Sequence, residues 1–255
     1  MTANGLYKFL EERIPKELSC EWDNDGRMVM PEPEKEIKKA LICLDASEAA
    51  VDYAVENGFD CIVTHHPLVF SPIKNIDADD HLGRKLCKLI KNGICVFSFH
   101  MRLDAVDGGV NDVIVKLFTN AKNIQHFSDV GRIFELDCPN KLSLTGRFAT
   151  VVKELFKTDT PLVCVDGGKS VNKIAVVGGS GKDYLEEAVA CGCDTFITGE
   201  MPHNRYHDAK ELGLNVICLG HYATDNLVCE RLKELILEYG DVETEILDTN
   251  PTVSR

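Results

Sequence analysis

Two adjacent histidines, His65 and His66, close the apolar run Cys61-Ile-Val-Thr64 and stand immediately before Pro67. That run predicts a short buried strand, because it is apolar, β-branched and preceded by a glycine turn. Neighbouring side chains on a regular strand point to opposite faces. At a strand end the pleat is over, and Pro67 biases His66 towards an extended conformation. Two imidazoles can then leave one strand tip, each offering a nitrogen to a metal ion, for which histidine is the commonest ligand. For the pair alone, two polar residues leaving a strand is the plainer reading.

Two further pairs share the spacing His-x-x-x-Asp: His100 with Asp104, and His221 with Asp225. Each histidine follows a predicted strand, Ile94–Phe99 in one case and Val216–Leu219 in the other. On a helix this spacing sets both side chains on one face, with Cβ atoms roughly 5–6 Å apart, and a carboxylate sits well near a helix N-terminus. His65, His66, Asp104, His221 and Asp225 together offer imidazole and carboxylate without thiolate, a set that suits zinc, iron, manganese or nickel. Five ligands exceed the three of a single catalytic zinc. Two divalent ions fit better, about 3.5–4 Å apart, bridged by a carboxylate such as Asp225 and acidifying a shared water. His100 and His207, with His203 beside them, are candidates for orienting ligands or moving protons. For His203 and His207 a helix-surface position is an equal alternative.

These residues need strands and helices to carry them. Besides those already named, strands are predicted at Ile37–Leu44, Arg132–Leu136, Leu142–Phe148, Leu162–Val165, Asn172–Val177 and Asp194–Thr198, with a short one near Glu245. The closeness of Arg132–Leu136 and Leu142–Phe148 predicts an antiparallel pair. Helices are predicted at Leu6–Ile14, Glu48–Asn57, His81–Asn92, Thr150–Phe156 and Asn204–Leu212, and from about Tyr222 to Tyr239. Glu21-Trp-Asp-Asn-Asp-Gly26 reads as a turn-rich loop. Gly178–Lys182 reads as a tight strand-to-helix turn whose free N–H groups can bind an anion weakly.

The chain repeats itself. Lys38–Asp45, a helix and Asn57–Thr64 lie without gaps over Asn172–Gly179, a helix and Cys191–Thr198. Each copy then reaches a strand ending in His-x-x-x-Asp. The βαβαβ order favours parallel strands with right-handed crossovers. The expectation is an α/β fold of two related α/β domains, 1–125 and 126–255, divided in the polar stretch Thr119–Asp129, with the last helix free to pack back on the first half. Ligands of open α/β sheets bind beyond the carboxyl ends of the strands, so the metal site is expected in the cleft between the halves.

Bulk properties exclude several classes. A net charge of −13 disfavours a nucleic-acid-binding face, which needs positive surface. No run approaches the ~20 apolar residues of a membrane span, and Met1–Glu12 lacks the features of a signal peptide, so a cytoplasmic protein is expected. The 11 cysteines are scattered. Cys43, Cys61, Cys95, Cys164 and Cys218 fall in apolar runs, as buried reduced thiols do.

Four motifs carry a resemblance that spans essentially the whole chain: Glu21-Trp-Asp-Asn-Asp-Gly26; Thr64-His-His-Pro-Leu68; His100-Met-Arg-Leu-Asp104 with Gly109-Val-Asn-Asp112; and Thr198-Gly-Glu200 with Gly220-His-Tyr-Ala-Thr-Asp225. In these the sequence resembles the Nif3-like, or YbgI-type, dinuclear metal-centre proteins, often labelled GTP cyclohydrolase type 2 homologues. The resemblance implies a two-domain α/β fold, a ring-shaped homohexamer with metal sites facing an internal cavity, and metal ligands at His65, His66, Asp104, His221 and Asp225. Family members usually carry Glu where Asp225 stands, and Thr-Asn where Met101-Arg102 stands; the arginine adds a cation that meets an anionic substrate or pairs with an acid. The leading expectation is a metal-dependent hydrolase of a small-molecule substrate, nucleotide-like by the family label alone. The alternative is a non-enzymatic metal carrier, sensor or assembly scaffold.

Overall fold

The computed structural model describes residues 1–136, 142–143 and 147–252. The chain divides into one unit of Met1–Val106 with Val228–Pro251 and a second built on Asp107–Leu227. Each has its own sheet, and the fold is mixed α/β. Among the described residues no helix is long and apolar enough to cross a membrane.

The first sheet runs in the order Gly26–Val29, Cys95–Ser98, Cys61–Thr64, Lys39–Cys43, Glu243–Ile246. Gly26–Val29 is antiparallel at one edge; the other pairings are parallel. Every residue of Cys61–Thr64 and Cys95–Ser98 is buried, as a parallel sheet covered on both faces requires. Leu41, Cys43, Ile62 and Val96 meet Ala50, Val51 and Ala54 of helix Glu48–Glu56 and Leu86 and Leu89 of helix His81–Lys91. The alternate residues Ala40, Ile42, Val63 and Phe97 are equally buried. Helix Val228–Tyr239 packs on strand Lys39–Cys43 and against helix Ala3–Arg13.

The second sheet runs Ala121–Phe127, Gly131–Leu136, Lys173–Ser180, Thr195–Glu200, Asn215–Cys218, Val163–Val165. Its three strands Lys173–Ser180, Thr195–Glu200 and Asn215–Cys218 are parallel, and the outer pairings are antiparallel.

The two sheets use the same local devices at positions that the expected repeat lays over each other. Asp60 accepts hydrogen bonds from the backbone N–H groups of Lys38 and Lys39 at 2.9 and 3.0 Å. Asp194 accepts from those of Asn172 and Lys173 at 3.0 and 2.8 Å. Gly58 and Gly192 stop the preceding helices with φ of +67° and +77°, the left-handed conformation that glycine adopts without a Cβ penalty.

Several expectations need correction. Arg132–Leu136 does not pair with the segment that follows it. Both of its edges are taken, by Ala121–Phe127 and Lys173–Ser180, and Leu142–Ser143 pairs instead with Ser170–Val171. The rest of the predicted strand Leu142–Phe148 lies partly outside the described residues, and Ala149 already begins a helix. The polar stretch Thr119–Asp129 contains a strand whose middle is exposed at an edge, so it lacks an apolar signal. The helix expected from Tyr222 to Tyr239 is two, His221–Asp225 and Val228–Tyr239, and the chain passes from the second unit to the first between Leu227 and Val228. Cys43, Cys61, Cys95 and Cys218 are buried, but Cys164 is exposed, because Val163–Val165 is an edge strand.

Candidate metal centre

In the first unit two adjacent parallel strands end together. The hydroxyls of Thr64 and Ser98 hydrogen bond at 2.7 Å, and the N–H of Phe99 donates to the carbonyl of Thr64 at 3.0 Å. These contacts hold the strand tips in register, and His65, His66 and His100 leave from them. Their ring centroids are 5.0 Å (His65–His66), 5.4 Å (His65–His100) and 5.8 Å (His66–His100) apart. One ring nitrogen from each lies within 4.8 Å of the others, so these histidines could hold a metal ion. His65 is 1 % exposed.

Each ring is fixed through the same atom. Nδ1 of His65 lies 3.0 Å from the carbonyl oxygen of Phe99. A carbonyl only accepts, so Nδ1 carries the proton and the lone pair of the neutral ring is on Nε2. Nδ1 of His66 lies 2.8 Å from Asp45 Oδ1, and Nδ1 of His100 lies 2.8 Å from Asp23 Oδ1. Asp23 also accepts from the N–H of Met101 at 3.2 Å. Burial pushes the Asp23 carboxyl up, but the hydrogen bond and charge of His100, with the N–H groups of Met101 and Asn24, outweigh it and hold the carboxyl below its ordinary range. An oxygen on Nδ1 that leaves Nε2 for a metal is the usual support of a ligating histidine. Nε2 of His65 lies 3.7 Å from Asp104 Oδ1. Two ligands with bonds of about 2.1 Å to one ion span nearly that distance.

In the second unit His221 and Asp225 bracket a five-residue helix. His221 Nε2 lies 3.0 Å from Asp225 Oδ2, and His221 Nδ1 lies 3.2 Å from Glu200 Oε1. Asp225 is 3 % exposed, and its Oδ1 lies 2.9 Å from the Thr224 hydroxyl. Glycines make the room. A Cβ on Gly178 would stand 2.8 Å from Asp225 Oδ1, and one on Gly179 would stand 2.9 Å from Asp225 Oδ2 and 3.3 Å from the His221 ring.

Other candidates fall elsewhere. His203 and His207 lie exposed on helix His203–Glu211, with ring centroids 5.1 Å apart; among the described residues they join no group of three potential metal ligands. Arg102 is fully buried and paired with Asp25, so of its two expected roles it takes the pairing with an acid. The N–H groups of Gly178, Gly179 and Gly181 are bound by Asn111, Thr224 and Thr198, so they form no anion cradle.

Sequence reasoning missed Asp23, Asp45, Thr224 and the glycine pair. Asp23 sits inside Glu21-Trp-Asp-Asn-Asp-Gly26, which reads as a surface turn. Asp45 follows its strand as His65 follows the next, and that shared place at a strand end was the available signal.

The chain matches the family model described as Duf34/NIF3 (NGG1p interacting factor 3) over residues 1–252. A curated relative from Clostridium perfringens, called a GTP cyclohydrolase 1 type 2 homolog, is 33% identical over 254 residues, covering 97% of this chain and 95% of that protein. The solved structure of reduced HcgD from Methanocaldococcus jannaschii superposes with a TM-score of 0.84 at 31% identity, covering 97% of this chain and 98% of that one. A Bacillus cereus protein related to NIF3 shares the fold with a TM-score of 0.89 at 22% identity, covering 100% of this chain and 99% of that one. A family model spanning nearly the whole chain, with relatives this similar along their full length, leaves one assignment: the chain belongs to the DUF34/NIF3 family.

Proposed function

We propose that this protein is a dinuclear metal-dependent hydrolase of a small, nucleotide-like substrate. The proposed ligands to two divalent ions are His65, His66 and Asp104 in the first unit and His221 and Asp225 in the second. One observation carries the reading: the three clustered histidines each turn Nδ1 to an oxygen acceptor, Phe99 O, Asp45 or Asp23. Rings that only filled a surface would have no need of three separate supports. Imidazole and carboxylate donors fit iron, zinc, manganese or nickel.

Such ions, when bound, supply Lewis-acid polarisation and an activated water for hydrolysis. The chain's own residues do the rest. Asp45 and the Phe99 carbonyl hold the His66 and His65 rings in place. Asp23 holds His100 by Nδ1, which supports Nε2 of His100 as the proposed atom for proton transfer beside the ligands, a task imidazole performs near neutral pH. The nucleotide-like substrate is supported by the name of the curated relatives, and a ring-shaped homohexamer is the proposed assembly.

Metal analysis of protein purified without chelator tests this first. The expected result is about two divalent ions per chain; less than about half an ion, with no uptake on titration, removes the reading. His65→Ala and Asp104→Ala should abolish turnover of any substrate found in a phosphoester and nucleotide screen. No metal-dependent turnover, together with rapid ion exchange, would identify a carrier, sensor or scaffold instead.

A further inference from the structure

Trp22 and Phe70 are large apolar side chains left 61% and 50% exposed. Exposed aromatics that cluster need an explanation in a way that scattered apolar residues do not. These two come from separate loops of the first unit, yet their ring centroids lie 6.3 Å apart at an interplanar angle of 56°. Both present themselves to the same partner. Trp22 lies 6.5 Å from the His100 ring at 83°, and Phe70 lies 6.2 Å from it at 85°. The three rings form one cluster in mutual contact, with Trp22 and Phe70 as its exposed members.

The cluster is built rather than incidental. Asp23, next to Trp22, is anchored on His100 and on the N–H of Met101. Asn24 donates its side-chain amide to the carbonyl of Val69, the neighbour of Phe70. The two loops are therefore tied to each other and to the histidine cluster, and the rings are positioned before any ligand arrives. Such pre-ordering lowers the entropic cost of binding.

We propose that Trp22 and Phe70 form a stacking clamp for a planar heteroaromatic ring, such as a purine base, and hold it beside His100. The Trp22 and Phe70 rings already touch, with centroids 6.3 Å apart, so a flat ring does not slip between them but lies across their exposed side, against the face of one and at an angle to the other, both favourable aromatic geometries. The clamp names the substrate class of the metal-dependent site and rests on that reading only for what is done to the ligand. Stacking tolerates any base, because each offers a π face. The neighbouring groups then decide the chemistry.

Trp22 is the chain's 1 tryptophan, so its fluorescence reports the clamp directly. Guanosine and adenosine monophosphates are titrated into the full-length protein, with ribose 5-phosphate as the ringless control and metal content measured on the same sample. The expected result is saturable quenching by both nucleotides and none by the control. Phe70→Ala should weaken binding roughly tenfold, the scale of losing one stacking partner. Phe70→Tyr should restore it, whereas Phe70→Leu, which keeps apolar bulk without a flat ring, should not. Nucleotides that quench no better than ribose 5-phosphate overturn the proposal, and so does a Phe70→Leu variant that binds like the parent. A Phe70→Ala variant that changes oligomeric state while ring affinity stays constant overturns it too, since the patch is then a protein interface. Quenching in protein that takes up no metal supports the clamp and removes only the hydrolase reading; two ions per chain without quenching does the reverse.

Discussion

The carboxylate of Asp23 and the imidazole of His100, 77 positions apart in sequence, meet at 2.8 Å. The contact does two things. It sets the direction of the His100 ring, and it ties the Trp22 loop to the strand tip that carries the histidine cluster. A ring so held faces its neighbours with Nε2, the nitrogen that a metal or a proton-transfer step would use.

Asp23→Asn keeps the shape of the side chain and removes its charge. Loss of a carboxylate that supports a site histidine typically costs about 10–100-fold in metal affinity or activity. Because His100 is proposed as a proton carrier and not as a ligand, the expected loss is in metal-dependent turnover, with metal affinity (competition with a chromophoric chelator) and unfolding stability close to the parent's. Turnover equal to the parent's would show that Asp23 serves the loop alone.

A second prediction concerns Gly178 and Gly179. Their added Cβ atoms would press on the Asp225 carboxylate from two sides at 2.8 and 2.9 Å, and Gly179 also has φ of +57°, which strains any L side chain. Gly179→Ala should destabilise the fold by about 1–3 kcal/mol and weaken metal uptake through His221 and Asp225. Gly168, with a φ of +81° and nothing within 4 Å of its Cβ position, is the control. Gly168→Ala carries the backbone strain without the crowding and should leave metal uptake unchanged.

The proposed ligands were more legible in the sequence than the groups that support them, for a physical reason. His65 and His66 were legible because an apolar β-branched run must be buried and the histidines mark where it ends. His221 and Asp225 were legible because a helix brings positions four apart together. Asp23 and His100 meet through tertiary packing alone, which no local period encodes. The parallel strands Lys39–Cys43, Cys61–Thr64 and Cys95–Ser98 were readable from continuous apolar runs. The edge strand Ala121–Phe127, exposed through its middle, lacks any such run. The break after Asp225 lies beside the passage from the second unit to the first, which no local period encodes, although Thr224, Asp225 and Asn226 are themselves poor helix formers.

Arg102 supplies a stability prediction. It is fully buried, with Nε 3.2 Å from Asp25 Oδ1 and Nη1 3.1 Å from the Ile14 carbonyl, and its guanidinium lies 4.7 Å over the Phe99 ring. Lys16 reaches the same aspartate at 2.6 Å. Removing one partner of a buried pair costs about 3–5 kcal/mol when it leaves an uncompensated charge. Lys16 still reaches Asp25 when Arg102 is lost, so Arg102→Ala is expected to lose about 3 kcal/mol, the low end of that range, in urea unfolding. The double variant Arg102→Met with Asp25→Leu should lose far less than the sum of its parts. Additive losses would mean that the two residues act independently.

The buried thiols predict an alkaline limit. Burial pushes the Cys95 thiol up to about 11, Cys218 up to about 11 and Cys193 up to about 12, and it raises Cys43 and Cys61 as well. In the unfolded chain each ionises near the ordinary value of about 8.5. A thiol whose folded pKa is raised supports the fold fully below the unfolded pKa, and that support is lost as pH rises towards the folded one. Unfolding free energy in reducing buffer should therefore hold level up to about pH 8.5 and then fall by about 1.4 kcal/mol per pH unit for each such thiol. Cys193→Ala should fall less steeply than the parent across the same window. A parent stability that stays flat there would mean that these thiols ionise in the folded protein as readily as in the unfolded chain.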